Sequence, residues 1–180
     1  MLARALFLDR DGVVNVDHPY VFQKENFEFI DGIFTLCRTA VALRYKIFIV
    51  TNQAGIGRGY YSEHDFHELT RWMCEVFVQN GVRIDKVYFC PNHPTHGIGP
   101  YRIESTWRKP GPGMILQAAD EFAINLQDSL LIGNNESDIL AAKAAHVGCA
   151  LLYRPTGTAQ QTPTDADFII TELSEASAYF

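Results

Sequence analysis

The sequence predicts an α/β protein, a doubly wound, Rossmann-like parallel sheet with helices on both faces. Three observations carry this. Apolar runs of strand length alternate with segments of helical periodicity along the whole chain. The strand runs lack polar–apolar alternation, as expected of strands covered on both sides. Clusters of polar residues fall just past the ends of predicted strands, where sheets of this kind bind ligands. The 180 residues suit one domain, 1–180, long enough to bury a substantial core.

The first strand is expected over 5–8 and ends at Asp9. Asn15 to Asp31 is aromatic and loop-like, of a length to cover the strand end. Apolar residues at Ile33, Leu36, Cys37, Ala40 and Leu43 have helical spacing, so a helix is expected over 32–43. The β-branched and aromatic run 47–50 reads as a buried strand, followed by Thr51-Asn52-Gln53 and a flexible stretch, Gly55-Ile56-Gly57-Arg58-Gly59. Ser62, with Glu63 and Asp65 after it, marks a helix start. That helix runs to about Gln79 and is closed by Asn80-Gly81. A third strand is expected over 87–90, and Pro91 to Trp107 is irregular. Helix 114–122, strand 129–132, helix 139–146, strand 149–153, strand 168–170 and a short helix complete the series.

Composition excludes several classes. Apolar content of 47% and charged content of 20% belong to an ordinary globular protein. A net charge of −6 opposes non-specific nucleic-acid binding, which needs a basic surface. No apolar run reaches the roughly 18 residues of a membrane span. The first residues lead directly into a strand and leave no room for a signal peptide. Cys37, Cys74, Cys90 and Cys149 are scattered and form no disulfide framework. A cytoplasmic monomer is expected.

The chemistry concentrates at four places on one rim of the expected sheet. Asp9 and Asp11 stand two apart at a strand end and start on one face. Two such charges need a cation between them, and a hard divalent ion such as Mg²⁺ is the simplest candidate. Taken alone, Asp9-Arg10-Asp11-Gly12 equally fits a turn or a helix cap. Thr51-Asn52 follows the second strand and also fits a strand-ending turn. Lys109 precedes a helix, and Asn134 and Asp138 follow the strand ending in Leu131-Ile132-Gly133.

Together these positions resemble the haloacid dehalogenase superfamily of phosphotransferases. Phe7-Leu8-Asp9-Arg10-Asp11-Gly12, Asp17-His18-Pro19-Tyr20, Thr51-Asn52-Gln53-Ala54-Gly55-Ile56 and Arg108-Lys109-Pro110 are similar to the heptose 1,7-bisphosphate 7-phosphatases, with histidinol-phosphate phosphatases nearest to them. The resemblance implies Asp9 as nucleophile and Asp11 as general acid and base. Thr51 and Asn52 would hold the transferring phosphoryl group, and Lys109 would neutralise charge. Mg²⁺ would be held by Asp9, the backbone carbonyl of Asp11 and Asn134, with Asp138 supporting from behind. Asp17, His18, Tyr20, Gln53 and Asn135 would line the site. Arg108 would take a second phosphate through its planar fork. His18 also fits a plain loop histidine, and Arg108 a solvated loop arginine; Arg58 is a weaker candidate for an anion. Without a long insertion, the chain is expected to be a capless member acting on a small phosphorylated sugar. Histidinol phosphate, or binding of a sugar phosphate with weakened catalysis, are the alternatives.

Two departures stand out. The family's zinc loop has Asn92, Ser105 and Trp107 at ligand positions and keeps only Cys90, with His93 and His96 nearby, so structural zinc is not expected. Where the superfamily carries Gly-Asp, this chain has Gly133-Asn134, which offers a cation a neutral oxygen instead of a charged one. Asn135 also replaces a residue that is often lysine.

Overall fold

The structure, a computed structural model, describes residues 2–157 and 162–180. Six strands pair entirely in parallel: β1 (Arg4–Leu8), β2 (Tyr45–Asn52), β3 (Lys86–Cys90), β4 (Leu130–Gly133), β5 (Cys149–Tyr153) and β6 (Phe168–Ile170). Their order across the sheet is β3-β2-β1-β4-β5-β6. The connections are α1 (Ile33–Ala42), α2 (Ala54–Gly57) with α3 (Glu63–Gln79), α4 (Gly113–Phe122) and α5 (Glu136–Ala144).

Side chains alternate across each strand, so both faces need cover. Leu6 and Leu8 of β1 join Ile47 and Ile49 of β2 on one face, beneath α1, α3 and the 3₁₀ segment Leu173–Tyr179. Ala5 and Phe7 join Phe48 and Val50 on the other, beneath α4 and α5. These strand residues are buried almost completely, which explains their uninterrupted apolar character.

Order reverses at β1, where β2 leads one way and β4 the other. The crevice beyond the carboxyl ends of such strands is the ligand position of doubly wound sheets. β2, β1 and β4 are neighbours, so Thr51, Asp9 and Asn134 come to one rim.

Several local expectations change. β2 is longer than 47–50, since both of its ends stay paired to neighbouring strands. The glycine-rich stretch is not open loop: 54–57 forms one helical turn with Gly55, Ile56 and Gly57 buried. The helix expected over 139–146 starts at Glu136, because Asn135 and Asp138 form a capping box that turns the polar cluster into the first turn. The 15–31 stretch is anchored by its aromatics, with the Phe27 ring 5.6 Å from Trp72 and the Phe29 ring 5.8 Å from Phe77. No helix among the described residues is long and apolar enough to cross a membrane.

Candidate active site

Lys109 is the buried cation of the site. Its Nζ donates to Asp9 Oδ1 at 2.8 Å and to Val50 O at 2.8 Å, and lies 2.6 Å from Asp138 Oδ1. An ammonium has three N–H groups, and all three have acceptors. Burial is the largest single influence on Lys109 and would depress its pKa, but Asp138 and then Asp9 outweigh it and hold it above the usual lysine range. Asn52 fixes the lysine's backbone: its Oδ1 accepts from Lys109 N–H at 3.0 Å and its Nδ2 donates to Lys109 O at 3.1 Å. The Asn52 side chain therefore positions Lys109 while it also lines the cavity.

Asp9 is 7% exposed. Burial, and then the charge of Asp138, raise its pKa to about 7 against the opposing pull of Lys109. Asp138 spends its other oxygen on the Asn135 N–H at 3.0 Å, so both its oxygens are taken by protein.

Asp11 faces the same cavity but has separate partners. Arg10 Nη2 reaches Asp11 Oδ1 at 2.9 Å and Oδ2 at 3.0 Å. Asn15 Nδ2 donates to Oδ1 at 3.0 Å, and Gln53 Nε2 to Oδ2 at 2.9 Å. The two carboxylates thus do not share one cation through their side chains: Asp9 sits against Lys109 and Asp11 against Arg10.

The oxygens that do converge are Asp9 Oδ2, the backbone carbonyl of Asp11 and the side-chain oxygen of Asn134. The last lies 3.1 Å from the Asp11 carbonyl and 3.3 Å from Asp9 Oδ2. Asn135 Nδ2 donates to it at 2.9 Å, which keeps the oxygen turned inward. Reversing the amide would let nitrogen donate to the Asp11 carbonyl and to Asp9 Oδ2, at the cost of that bond, whereas a cation among these oxygens would favour the oxygen inward. Adjacent corners of an octahedral Mg²⁺ shell with bonds of ~2.1 Å lie about 3 Å apart, so these hard oxygens fit such an ion. Gly12 makes the approach possible: a Cβ there would stand 2.0 Å from the Asn134 amide, and its φ is +92°. Among the described residues no group of three or more His, Cys, Asp or Glu could hold a metal. The three converging oxygens, one carboxylate, one peptide carbonyl and one amide, are the candidate cation site.

A cavity of about 390 Å³ opens over these groups, lined by Asp9, Asp11, Thr51, Lys109 and, on its outer wall, Asp17, His18, Tyr20, Arg108 and Asn135. Burial, and then Asp11, raise the Asp17 carboxyl. The Arg108 guanidinium donates from Nη1 to Asn92 O at 3.2 Å. Burial lowers its pKa, and nearby Arg58 adds to that. Arg58 donates from Nη1 to Tyr20 Oη at 3.0 Å, while its buried Nε has no partner. Arg108 on the cavity wall and Arg58 on the cavity-lining Tyr20 thus stand within electrostatic reach, and neither forms an ion pair among the described residues.

Gln53 lines the cavity too, but its amide is committed to protein. Nε2 serves Asp11 and Thr51 Oγ1 (2.8 Å), and Oε1 accepts from Tyr61. Gln53 thus lines the cavity, as expected from sequence, with its amide bridging Asp11, Thr51 and Tyr61. The 91–107 loop is held by Ile98 N–H on Gly57 O (2.8 Å), Tyr101 Oη on Glu63 (2.8 Å) and Trp107 edge-on to Tyr88. At the zinc-loop positions Cys90 Sγ lies 3.7 Å from Asn92 Oδ1.

Sequence reasoning passed over Arg10, Asn15 and Tyr61. Arg10 left a signal: a charged residue between two aspartates at the end of an apolar strand, where it cannot reach water. It is 2% exposed. Tyr61 left none, since it meets Gln53 only through the fold.

A buried carboxylate against an ammonium, a second carboxylate on the same cavity and a place for a hard cation together suit nucleophilic displacement at phosphorus. Residues 106–176 match a family profile described as HAD-hydrolase-like. A HAD-like phosphatase from Mesorhizobium loti has the same fold, with a TM-score of 0.87 and 32% identity over 99% of this chain and 86% of that one. The chain belongs to the haloacid dehalogenase superfamily, and within it to the phosphatases that hydrolyse phosphoric monoesters. Among its relatives, one from Burkholderia mallei is 60% identical over 152 residues, 84% of this chain and 80% of its own length. That protein is named D-glycero-α-D-manno-heptose-1,7-bisphosphate 7-phosphatase. The D,D-heptose 1,7-bisphosphate phosphatase of B. bronchiseptica, crystallised with magnesium and phosphate, shares the fold at TM-score 0.80 and 23% identity, covering 97% of this chain and 96% of that one.

Proposed function

We propose that this phosphatase removes the 7-phosphate of a heptose 1,7-bisphosphate through an aspartyl-phosphate on Asp9. The observation that carries the chemistry is Asp9 buried against Lys109 at the floor of a cavity that Asp11 also faces. The name of the Burkholderia relative supports the substrate.

A carboxylate of Asp9 attacks phosphorus as the bond to the sugar oxygen breaks. The proton that the departing oxygen needs comes from Asp11. Water then attacks the acyl phosphate, Asp11 takes its proton, and inorganic phosphate leaves with Asp9 regenerated. Thr51 Oγ1 and Lys109 Nζ offset charge on the phosphoryl oxygens. Asp9, the Asp11 carbonyl and Asn134 would hold Mg²⁺, which when bound would supply Lewis-acid neutralisation of that charge. Asp138 keeps Lys109 charged and in place.

Arg108 with Arg58 favours a second phosphate over the ammonium group of histidinol phosphate, since like charges would meet there. A phosphate-release assay with Mg²⁺ titration, run on heptose 1,7-bisphosphate, histidinol phosphate and sugar monophosphates, tests the reading. Heptose bisphosphate should have the highest kcat/KM. Faster turnover of histidinol phosphate would refute the substrate, and no turnover at any Mg²⁺ concentration would refute the reaction. Asp9→Asn should lower kcat by on the order of 10³-fold or more.

A further inference from the structure

We infer that Tyr61, acting through Gln53, is a positioning residue for the proton donor Asp11. This rests on the role of Asp11 given under Proposed function.

The hydrogen bonds allow one arrangement. Asp11 Oδ2 receives Gln53 Nε2 at 2.9 Å. An ionised carboxylate only accepts, so the amide nitrogen must face it. Gln53 Oε1 then faces Tyr61, whose hydroxyl must donate. Tyr61 is well suited to that task, because burial pushes its pKa up to about 12 and it stays protonated. The second N–H of Gln53 goes to Thr51 Oγ1 at 2.8 Å. A neutral amide thereby ties the proton donor to the hydroxyl assigned to the phosphoryl group.

The tyrosine is itself seated firmly. Its ring stacks on Phe22 at 5.1 Å with planes 6° apart. It also packs directly over Gly55, where a Cβ would stand 2.2 Å from Tyr61 Cε1. Tyr61 is 8% exposed and Gln53 2%. Without the phenol hydroxyl, Gln53 Oε1 loses its donor, the amide is no longer held at that end, and its grip on Asp11 Oδ2 loosens.

Protonation of the leaving oxygen matters greatly for an alkyl phosphate and little for an aryl phosphate, whose phenolate leaves unaided. Values of kcat/KM report the steps through leaving-group departure. For Tyr61→Phe, kcat/KM on a sugar phosphate should fall about tenfold, a part of the roughly 10²- to 10⁴-fold that a positioned general acid contributes, and stay within about threefold on p-nitrophenyl phosphate. Equal losses on both substrates would mark a merely structural role and overturn the inference, as would no loss on either. Gln53→Leu should show the same selectivity, and the double variant should be no worse than Gln53→Leu; multiplied losses would mean that the two residues act separately. If Tyr61→Phe fails to fold, the selectivity of Gln53→Leu decides. Asp11→Asn separates this inference from the role on which it rests. Sugar-phosphate turnover surviving in Asp11→Asn would refute the role of Asp11, whereas loss there with Tyr61→Phe unimpaired would refute only the positioning.

Discussion

Asn134 shows how much one atom can alter a site. It occupies the corner of the converging oxygens where an aspartate would bring charge, and it brings a neutral oxygen held by Asn135. Asn134→Asp should therefore lower the Mg²⁺ concentration for half-maximal activity, by about tenfold if the added charge contributes ~1.4 kcal/mol. An unchanged Mg²⁺ curve would remove residue 134 from the cation site. Arg108 is the matching case on the outer wall. Arg108→Ala should reduce kcat/KM for a bisphosphate by about 10- to 100-fold, the range for a lost charged hydrogen bond, and by much less for a monophosphate. Equal losses would mean that Arg108 does not meet the second phosphate. The identities of Asp9, Thr51 and Lys109 were readable because each follows a strand or precedes a helix at one rim. The partners of Asp11 were not. Arg10 is adjacent in sequence, but neighbours along an extended chain start on opposite faces, so spacing does not announce its fork on Asp11, and Gln53 stands 42 positions from Asp11 in the chain.

At the scale of elements, helix starts were the most legible boundaries wherever a capping residue stood alone before an apolar face. Ser62 is an example: its Oγ accepts from Asp65 N–H at 3.1 Å and Asp65 Oδ2 accepts from Ser62 N–H at 2.8 Å. Ser62→Ala should destabilise the protein by about 1 kcal/mol, measured by denaturant titration, with an unchanged m-value. No loss of stability would mean that the box contributes nothing to α3. The start of α5 was less legible, because Asn135 and Asp138 read as site residues and not as a cap. They are both: Asp138 closes the capping box with one oxygen and holds Lys109 with the other. Strand ends blurred for a different reason. β2 continues past its apolar run because Thr51 and Asn52 still pair with β3, and pairing is invisible to composition.

For the molecule as a whole, the buried Asp9 couples stability to both pH and cations. Its folded pKa of about 7 lies above the ordinary carboxyl value of 3.8. Between those values the folded state keeps a proton that the unfolded state has lost, so the contribution of Asp9 to stability is greatest below about pH 4 and declines as pH rises towards about 7. A divalent ion beside Asp9 favours the carboxylate and opposes that decline. The rise in melting temperature on replacing EDTA with Mg²⁺ should therefore be larger at pH 8 than at pH 5. Equal rises would show that ion binding is not linked to ionisation of Asp9.

The sheet order has a consequence for how the protein is made. β1, at the centre, pairs with β2 through Leu6 and Ile47, but its other side waits for Leu130. A chain still on the ribosome can pair β1 on one side long before the partner for the other exists. Until then β1 presents an open edge next to its buried carboxylate, and such edges recruit other chains. Contacts of this sequence separation also slow folding. The ion pair between Asp9 and Lys109 joins residues 100 apart, so the reactive carboxylate acquires its counter-charge only after more than half of the chain has been synthesised.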